Sequence, residues 1–149
     1  MSNLLIDTCF WYAYYESKER EQHDFAVTFI ERHLPKDKII VPHPILYEVI
    51  NTKFSKHKDW MDPFNKLLTN RNNVKIISDD KYKEEAFNLT FDFSIRKKRP
   101  ISFVDMIIRS MLTDVDLKIN ALVTFNEKDF SDICYRRKIE LIGKDYTGK

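Results

Sequence analysis

Five oxygen-bearing side chains in this sequence stand where a chain often builds a reactive site, after an apolar run or early in a helical pattern. They are Asp7, Glu48, Asp105, Asn126 and Asp129. Carboxylates that converge on one partly buried site repel one another unless a cation neutralises them. Mg²⁺ and Mn²⁺ prefer such oxygen ligands and can activate water for attack on a phosphodiester. These residue types therefore predict metal-assisted phosphoryl chemistry.

Short apolar runs alternate with longer helical patterns along the chain, and these elements must position the acids. The predicted strands are 4–6, 39–41, 74–77, 121–124 and 140–142. The predicted helices are 8–17, 21–34, 44–52, about 58–70, 79–97, 103–115 and 127–135. Strands separated by helices of this length form right-handed crossovers. We therefore expect an α/β fold, a three-layer α/β/α sandwich around a central, mostly parallel sheet.

The predicted elements bring the acids to one edge of the sheet, because ligands of parallel sheets bind beyond the carboxyl ends of the strands. Asp7 directly follows the first strand, and Asn126 and Asp129 follow the fourth. Glu48 and Asp105 lie in helices that can begin at the same edge.

Each acid also has a structural interpretation. Residues 102–105 fit a capping box that begins at Ser102, and residues 126–129 could cap the next helix similarly. Glu48 could be a solvated helix position, and Asp7 a turn or cap residue. Asp105 also shares a helix face with Ile108, Leu112 and Val115, which predicts that it points inward. Capping and metal binding are compatible, and capping alone does not explain why these residues share an edge.

The charge distribution favours a polyanionic partner. The net charge of the 149 residues is only +2, but residues 51–100 hold 12 basic and 7 acidic side chains, a net +5. The candidates to contact phosphates are Lys53, Lys56, Arg71 and the run Arg96, Lys97, Lys98 and Arg99. A solvated helical face is the alternative interpretation of this run.

Composition bounds the class of protein. A chain of 149 residues that is 43% hydrophobic and 32% charged predicts one globular domain over residues 1–149. We expect a cytoplasmic protein, since there is no apolar run of membrane-spanning length, no basic leader and only two cysteines. The aromatic residues Phe10, Trp11, Tyr12, Tyr14 and Tyr15 exceed what one helix face needs, so part of this cluster could serve a partner or stack on bases.

Four short segments, in order along the chain, resemble the signature segments of PIN domains. They are residues 5–8, 46–49, 101–105 and 122–130 (LIDT, LYEV, ISFVD and LVTFNEKDF). The compact size and the last segment are most similar to VapC-type toxins of bacterial toxin–antitoxin pairs. The resemblance implies a PIN-like fold and an endoribonuclease that depends on Mg²⁺ or Mn²⁺, with Asp7, Glu48 and Asp105 as metal ligands. It also implies products with a 5′-phosphate and a 3′-hydroxyl.

The resemblance further implies supporting residues and partners. Thr8, Ser102 and Thr124 match polar positions that support the metal site in such proteins. Many relatives carry Asp where this chain has Asn126, so Asn126, Asp129 or neither completes the site. The implied partners are an RNA substrate and a cognate antitoxin. We also expect a homodimer, for which part of the aromatic cluster at residues 10–15 could supply the surface.

Three other classes of function compete with this interpretation. A phosphoreceiver domain would use Asp7, Asp79, Thr124 and Lys144, but it needs an acidic pair after the first strand, where Asp7 is followed by Thr8 and Cys9. Phosphatases of the haloacid-dehalogenase type need a D-x-D motif there, and no phosphate-binding glycine motif is present. The stronger alternative is a PIN-like module that binds RNA or protein without cleaving it.

Overall fold

A computed structural model describes residues 1–143. Within them, five strands form one parallel sheet: β1 (Asn3–Ile6), β2 (Lys38–Pro42), β3 (Val74–Ile77), β4 (Ala121–Val123) and β5 (Glu140–Ile142). The strand order is β3-β2-β1-β4-β5. The chain moves outward from β1 to β3 and then returns to the other side of β1. The switch point of the sheet, where such folds bind ligands, therefore lies between β1 and β4.

Helices cover both faces of the sheet. They are α1 (Thr8–Tyr15), α2 (Arg20–His33), α3 (His43–Val49), α4 (Thr52–Ser55), α5 (Lys58–Leu68), α6 (Lys83–Ile95), α7 (Phe103–Thr113) and α8 (Ser131–Arg137). Right-handed crossovers place α1 to α5 on one face and α6 to α8 on the other. Accordingly, α1 packs on α2 and α3, and α7 packs on α6 and α8. The predicted three-layer α/β/α sandwich is confirmed.

The core lies between these layers. The central strands supply fully buried side chains such as Leu5, Ile39 and Leu122, as expected for a parallel sheet covered on both faces. In the α1 aromatic cluster, Phe10 and Trp11 are fully buried, and the tyrosines are half-buried. Among residues 1–143, none of the helices combines the length and apolar character needed to cross a bilayer.

Side-chain caps and turns move the ends of several helices from the positions that the sequence pattern predicts. The predicted helix 44–52 is interrupted after Val49, because the Asn51 side chain accepts from the Phe54 amide and starts α4. The predicted helix 79–97 begins only at Lys83, because the Asp79 carbonyl closes a turn with the amides of Tyr82 and Lys83.

Two further helices also differ from prediction. Helix α7 ends at Thr113, because Asp114 caps a separate 3₁₀ turn, Val115–Leu117. Val115 is 61% exposed, so its predicted place on the buried face is wrong, whereas Ile108 and Leu112 are buried. The predicted helix 127–135 divides into a 3₁₀ turn, Glu127–Asp129, and α8. Lys144, which the phosphoreceiver interpretation needs, lies outside the described residues.

Candidate active site

Asp7 is the first residue after β1 and the N-cap of α1. One carboxylate oxygen accepts from the Thr8 amide at 2.8 Å, and the other accepts from the Thr124 hydroxyl at 2.8 Å. The residue is only 5% exposed. Burial raises the pKa of this carboxyl, and the hydrogen bonds from Thr124 and Thr8 oppose that rise. The fold therefore holds a buried acid in one orientation beside the switch point.

Glu48 lies on α3, and its carboxylate is held from across the site. The Thr8 hydroxyl donates to Glu48 Oε1 at 2.6 Å, although 40 residues separate the two. Burial raises the pKa of Glu48, the Thr8 hydrogen bond lowers it, and the charge of Asp7 raises it again. Thr8 therefore contacts both acids, through its backbone amide and through its side chain.

Asp105 lies in the first turn of α7, where Ser102 supplies the cap. The Ser102 hydroxyl accepts from the Asp105 amide at 3.0 Å. Burial raises the pKa of Asp105 to about 7, and the charges of Asp7, Glu48 and Asp129 add to the rise. Asp105 is thus close enough to three other acids to feel their charge, and the Ser102 side chain already fills the capping role.

Asn126 and Asp129 follow β4 and contact each other. The Asn126 side-chain amide donates to Asp129 Oδ2 at 3.0 Å, and the charge of Asp129 adds to the burial that raises the pKa of Asp105. The Asn126 side chain makes no capping hydrogen bond to the turn that follows it, and α8 begins without a side-chain cap. The capping interpretation of residues 126–129 is therefore wrong, because the Asn126 side-chain amide binds the Asp129 carboxylate and does not cap the turn.

Thr124 joins the two sides of the site. Its fully buried hydroxyl donates to Asp7 and accepts from the Asn126 amide at 2.9 Å. The Cys9 thiol lies 3.5 Å from this hydroxyl and 3.7 Å from Asp7 Oδ2. Burial raises the pKa of Cys9 to about 11, so the thiol is neutral and can donate. Sequence reasoning missed Cys9, although its position two residues after Asp7 was a usable signal.

Arg109 is a second residue that sequence reasoning missed. It is 7% exposed, and its guanidinium donates to the Asp129 carbonyl at 2.9 Å and to both carboxylate oxygens of Asp132 at 2.7 and 2.9 Å. The Arg109 hydrogen bonds lower the pKa of Asp132 to about 2. The available signal was a lone basic residue in the otherwise apolar stretch that follows Asp105.

One end of the basic run 96–99 reaches the site. Arg99 donates to the Lys128 carbonyl at 2.6 Å and lies 3.9 Å from Asp129 Oδ1. Lys97 stacks its ammonium 4.3 Å from the Phe93 ring centroid, and Arg96 pairs with Asp92 on α6. The run therefore connects α6 with the loop that carries Asp129.

The other predicted phosphate contacts divide between two places. Lys53 and Lys56 are exposed on and just after α4, next to Asn51, whose side chain donates to the Glu48 carbonyl. Arg71 lies three residues before β3, at the amino edge of the sheet. The structure therefore separates Arg71 from the acids, which lie at the carboxyl edge.

The acids fit a hard divalent cation. Among residues 1–143, no three His, Cys, Asp or Glu side chains are already gathered as a metal-binding cluster. Asp7, Glu48 and Asp105 nevertheless have raised pKa values, and each feels the charge of another acid. A carboxylate and amide donor set of this kind suits Mg²⁺ or Mn²⁺, which would relieve the repulsion.

Comparison with known proteins places this chain in a family. The sequence model of the PIN domain matches residues 4–134, most of the chain. The solved structure of VapC20 from Mycobacterium tuberculosis, a sarcin–ricin loop cleaving toxin, is similar with a TM-score of 0.66 at 17% identity, over 87% of this chain and 94% of that chain.

Two further solved structures are similar. VapBC2 from Rickettsia felis, bound to a DNA fragment from its promoter, gives a TM-score of 0.60 at 19% identity, over 93% of this chain and 96% of that chain. FitAcB from Neisseria gonorrhoeae gives a TM-score of 0.57 at 9% identity, over 93% and 96%. No curated protein matches the sequence. At these identities the structural likeness establishes the fold, and the family match rests on the sequence itself: the chain belongs to the PIN-domain family.

Proposed function

We propose that this protein is a metal-dependent endoribonuclease and the toxin of a type II toxin–antitoxin pair. The observation that carries the proposal is the position of Asp7, Glu48 and Asp105 beside the switch point, where burial and the charge of another acid raise the pKa of each. Membership of the PIN-domain family supports a nuclease. The likeness to VapC20 and VapBC2 supports a place in a toxin–antitoxin system.

Asp7, Glu48 and Asp105 would hold Mg²⁺ or Mn²⁺, with Asp129 or Asn126 completing the set. A bound ion supplies a water of lowered pKa and neutralises charge on the phosphate. The protein holds these ligands by hydrogen bonds: Thr124 orients Asp7, and Thr8 orients Glu48. Asp105, with a pKa of about 7, must release its proton to act as a ligand. No side chain needs to form a covalent bond with the substrate.

The basic residues near Asp129 support an RNA substrate, and the similar proteins support an antitoxin partner. Lys97, Lys98 and Arg99 lie on the loop that reaches Asp129, so they are the best placed of the basic residues to bind phosphates flanking the scissile bond. A cognate antitoxin is the partner that the likeness to VapBC2 supports. The homodimer stays a prediction from the aromatic cluster in the sequence.

Cleavage of RNA by the purified protein tests the proposal. We expect cleavage with Mg²⁺ or Mn²⁺, none with EDTA, and products that carry a 5′-phosphate and a 3′-hydroxyl. Asp7→Asn should abolish cleavage, whereas Asp59→Asn, which removes an exposed acid from the first turn of α5, should not. Cleavage that survives exhaustive chelation, or a 2′,3′-cyclic phosphate product, would contradict the metal-dependent mechanism.

A PIN-fold module that binds RNA or protein without cutting is the second candidate. Two points favour it: the acids of residues 1–143 are not gathered as a preformed metal cluster, and the chain has an amide, Asn126, where the resemblance to PIN domains implies an acid. RNA binding with saturating Mn²⁺ and no cleavage of any RNA tested would support this candidate over the nuclease.

A further inference from the structure

Arg109 is a buried charge on a helix that otherwise buries apolar side chains. Its neighbours on α7 include Met106, Ile108 and Leu112, all of them buried. A buried guanidinium is costly unless it is paired and fully hydrogen-bonded. The Arg109 guanidinium donates three hydrogen bonds, one to the Asp129 carbonyl and one to each carboxylate oxygen of Asp132. The Phe93 ring lies against it, with its centroid 5.4 Å from the guanidinium carbon.

The spacing of α7 brings two of its side chains to the same residue of the loop after β4. Asp105 and Arg109 are four residues apart, so they share one face of the helix. Burial and the charge of Asp129 both raise the pKa of Asp105, so the two carboxyls lie near each other, and Arg109 donates to the Asp129 carbonyl at 2.9 Å. Helix α7 therefore holds the backbone of Asp129 through Arg109 and carries Asp105 near its side chain.

Other contacts also hold this part of the loop: Arg99 donates to the Lys128 carbonyl, Asn126 donates to the Asp129 carboxylate, and Phe130 is fully buried. The turn Glu127–Asp129 and helix α8 both begin without a side-chain cap. The Phe130 amide closes the turn on the Glu127 carbonyl at 3.0 Å. Arg109 adds a link to α7, because it ties the end of this turn and the first turn of α8 to that helix.

We infer that Arg109 is a positioning residue for the active site: by holding the Asp129 carbonyl and Asp132, it keeps the Asp129 carboxylate against Asp105 and Asn126. The inference rests on the proposed function, since it assigns Asp129 to the metal-binding set. Arg109 is too deeply engaged to bind RNA, and it acts only through Asp129. Lysine could not replace it, because a single ammonium cannot reproduce the planar fork that serves three acceptors.

Arg109→Lys tests this role, with Arg137→Lys as the matched control. Arg137 also joins α8 to α7, through a 3.3 Å hydrogen bond to the Leu112 carbonyl, but it does not contact Asp129. We expect Arg109→Lys to weaken Mn²⁺ binding, measured by calorimetry, by about tenfold or more. This is the usual cost of losing a partner that orients a metal ligand. Arg137→Lys should bind Mn²⁺ as the wild type does.

Hydrogen exchange provides a readout that needs no metal. In Arg109→Lys, the amide of Phe130 should exchange faster than in the wild type, and in Arg137→Lys it should not. Asp132→Asn keeps Arg109 and the Asp129 carbonyl contact, so it should give a smaller change in the same direction and remain folded. Unchanged exchange at Phe130 in both Arg109→Lys and Asp132→Asn would overturn the inference.

A double-mutant cycle tests whether Arg109 acts through Asp129. In an Asp129→Asn background, Arg109→Lys should cause little further loss of Mn²⁺ affinity, because the carboxylate it positions is gone. A full additional loss in that background would overturn the inference. If the wild type binds no Mn²⁺, the proposed function fails, and the exchange at Phe130 alone decides whether Arg109 positions the loop.

Discussion

The Thr124 hydroxyl donates a hydrogen bond of 2.8 Å to the Asp7 carboxylate. The two residues follow β4 and β1, the neighbouring strands between which the order of the sheet reverses. The same hydroxyl accepts from the Asn126 amide, so it cannot rotate without losing a partner. One buried hydroxyl thus fixes the orientation of the central acid and the start of the loop that carries Asn126 and Asp129.

Thr124→Val removes this hydroxyl while it keeps the shape of the side chain. We expect Mn²⁺ affinity and cleavage to fall about 10–100-fold, because Asp7 loses the partner that orients it. The Asn126 amide loses its acceptor as well, so the free energy of unfolding should drop by about 1–3 kcal/mol. Steady-state kinetics and denaturant unfolding measure the two effects.

Thr90→Val is the control for that substitution. The Thr90 hydroxyl donates to the Ala86 carbonyl within α6, away from the acids. This variant should bind Mn²⁺ and cleave RNA as the wild type does. Wild-type cleavage by Thr124→Val would mean that the hydrogen bond to Asp7 has no catalytic consequence.

The Asp105→Asn variant distinguishes a metal-binding role of Asp105 from a helix-capping role. In the metal-free protein we expect an unchanged or raised melting temperature, because the change removes a charge that Asp7, Glu48 and Asp129 all repel. Asp59→Asn removes an acid from the first turn of α5 and should cost about 0.3–1 kcal/mol through the helix dipole. Mn²⁺ should stabilise the wild type and Asp59→Asn alike, and Asp105→Asn much less. If both variants were destabilised equally, Asp105 would act only through the N-terminus of its helix, and its place in a metal site would be contradicted.

The arrangement of strands and helices was predictable because periodicity and the crossover rule act locally. Leu4 to Ile6 and Ala121 to Thr124 read as buried strands, and parallel strands must end at a common edge. Asp7 and Asp129 could therefore be placed near each other across more than a hundred residues. The cap at Ser102 was equally visible, since its partner lies only three residues away.

The contacts between elements could not be predicted in this way. The bond from Thr8 to Glu48 depends on how α3 is set against α1, and the fork from Arg109 to Asp132 depends on how α7 meets α8. Neither pairing has a spacing signal in the sequence. Helix ends were missed for a related reason: the Asn51 side chain competes for backbone amides and ends a pattern that apolar spacing would continue.

The stability of the metal-free protein should fall as pH rises from about 5 to about 8. The pKa of Asp105 is about 7 in the folded protein and 3.8 ordinarily, so between these values the folded protein holds a proton that the unfolded chain has released. That proton favours folding at low pH, and the advantage is lost as pH rises through 7. Buried Asp7 and Glu48, whose pKa values are also raised, act in the same direction.

Denaturant unfolding at constant ionic strength measures this slope. Asp105→Asn should flatten it, since one of the three carboxyls with a raised pKa is removed. Saturating Mn²⁺ should reverse it, because the metal binds the deprotonated acids. Asp132, with a pKa of about 2, contributes no slope in this range. A metal-free protein that grows more stable between these pH values would contradict the clustering of the acids.

Lys97 and Lys98 of the basic run should contribute to the salt dependence of RNA binding without taking part in the chemistry. Lys97 and Lys98 are exposed, and neither is ion-paired within the described residues, whereas Arg96 is paired with Asp92. In Lys97→Gln/Lys98→Gln, the slope of log affinity against log salt should fall by about 0.7 for each lost phosphate contact on single-stranded RNA. Cleavage at saturating RNA should stay near the wild-type rate.

Two comparison variants make this prediction specific. Arg71→Gln/Lys75→Gln removes two charges near the start of β3 and on the edge strand itself, so it should leave the salt slope unchanged. Arg99→Gln should lower both the slope and the rate at saturating RNA, because Arg99 lies 3.9 Å from Asp129 and holds the Lys128 carbonyl. Filter binding across a salt series and single-turnover cleavage measure the two quantities. An identical loss of slope in the Arg71 and Lys97 variants would mean that RNA contacts the whole surface of the protein and not a track that leads to the acids.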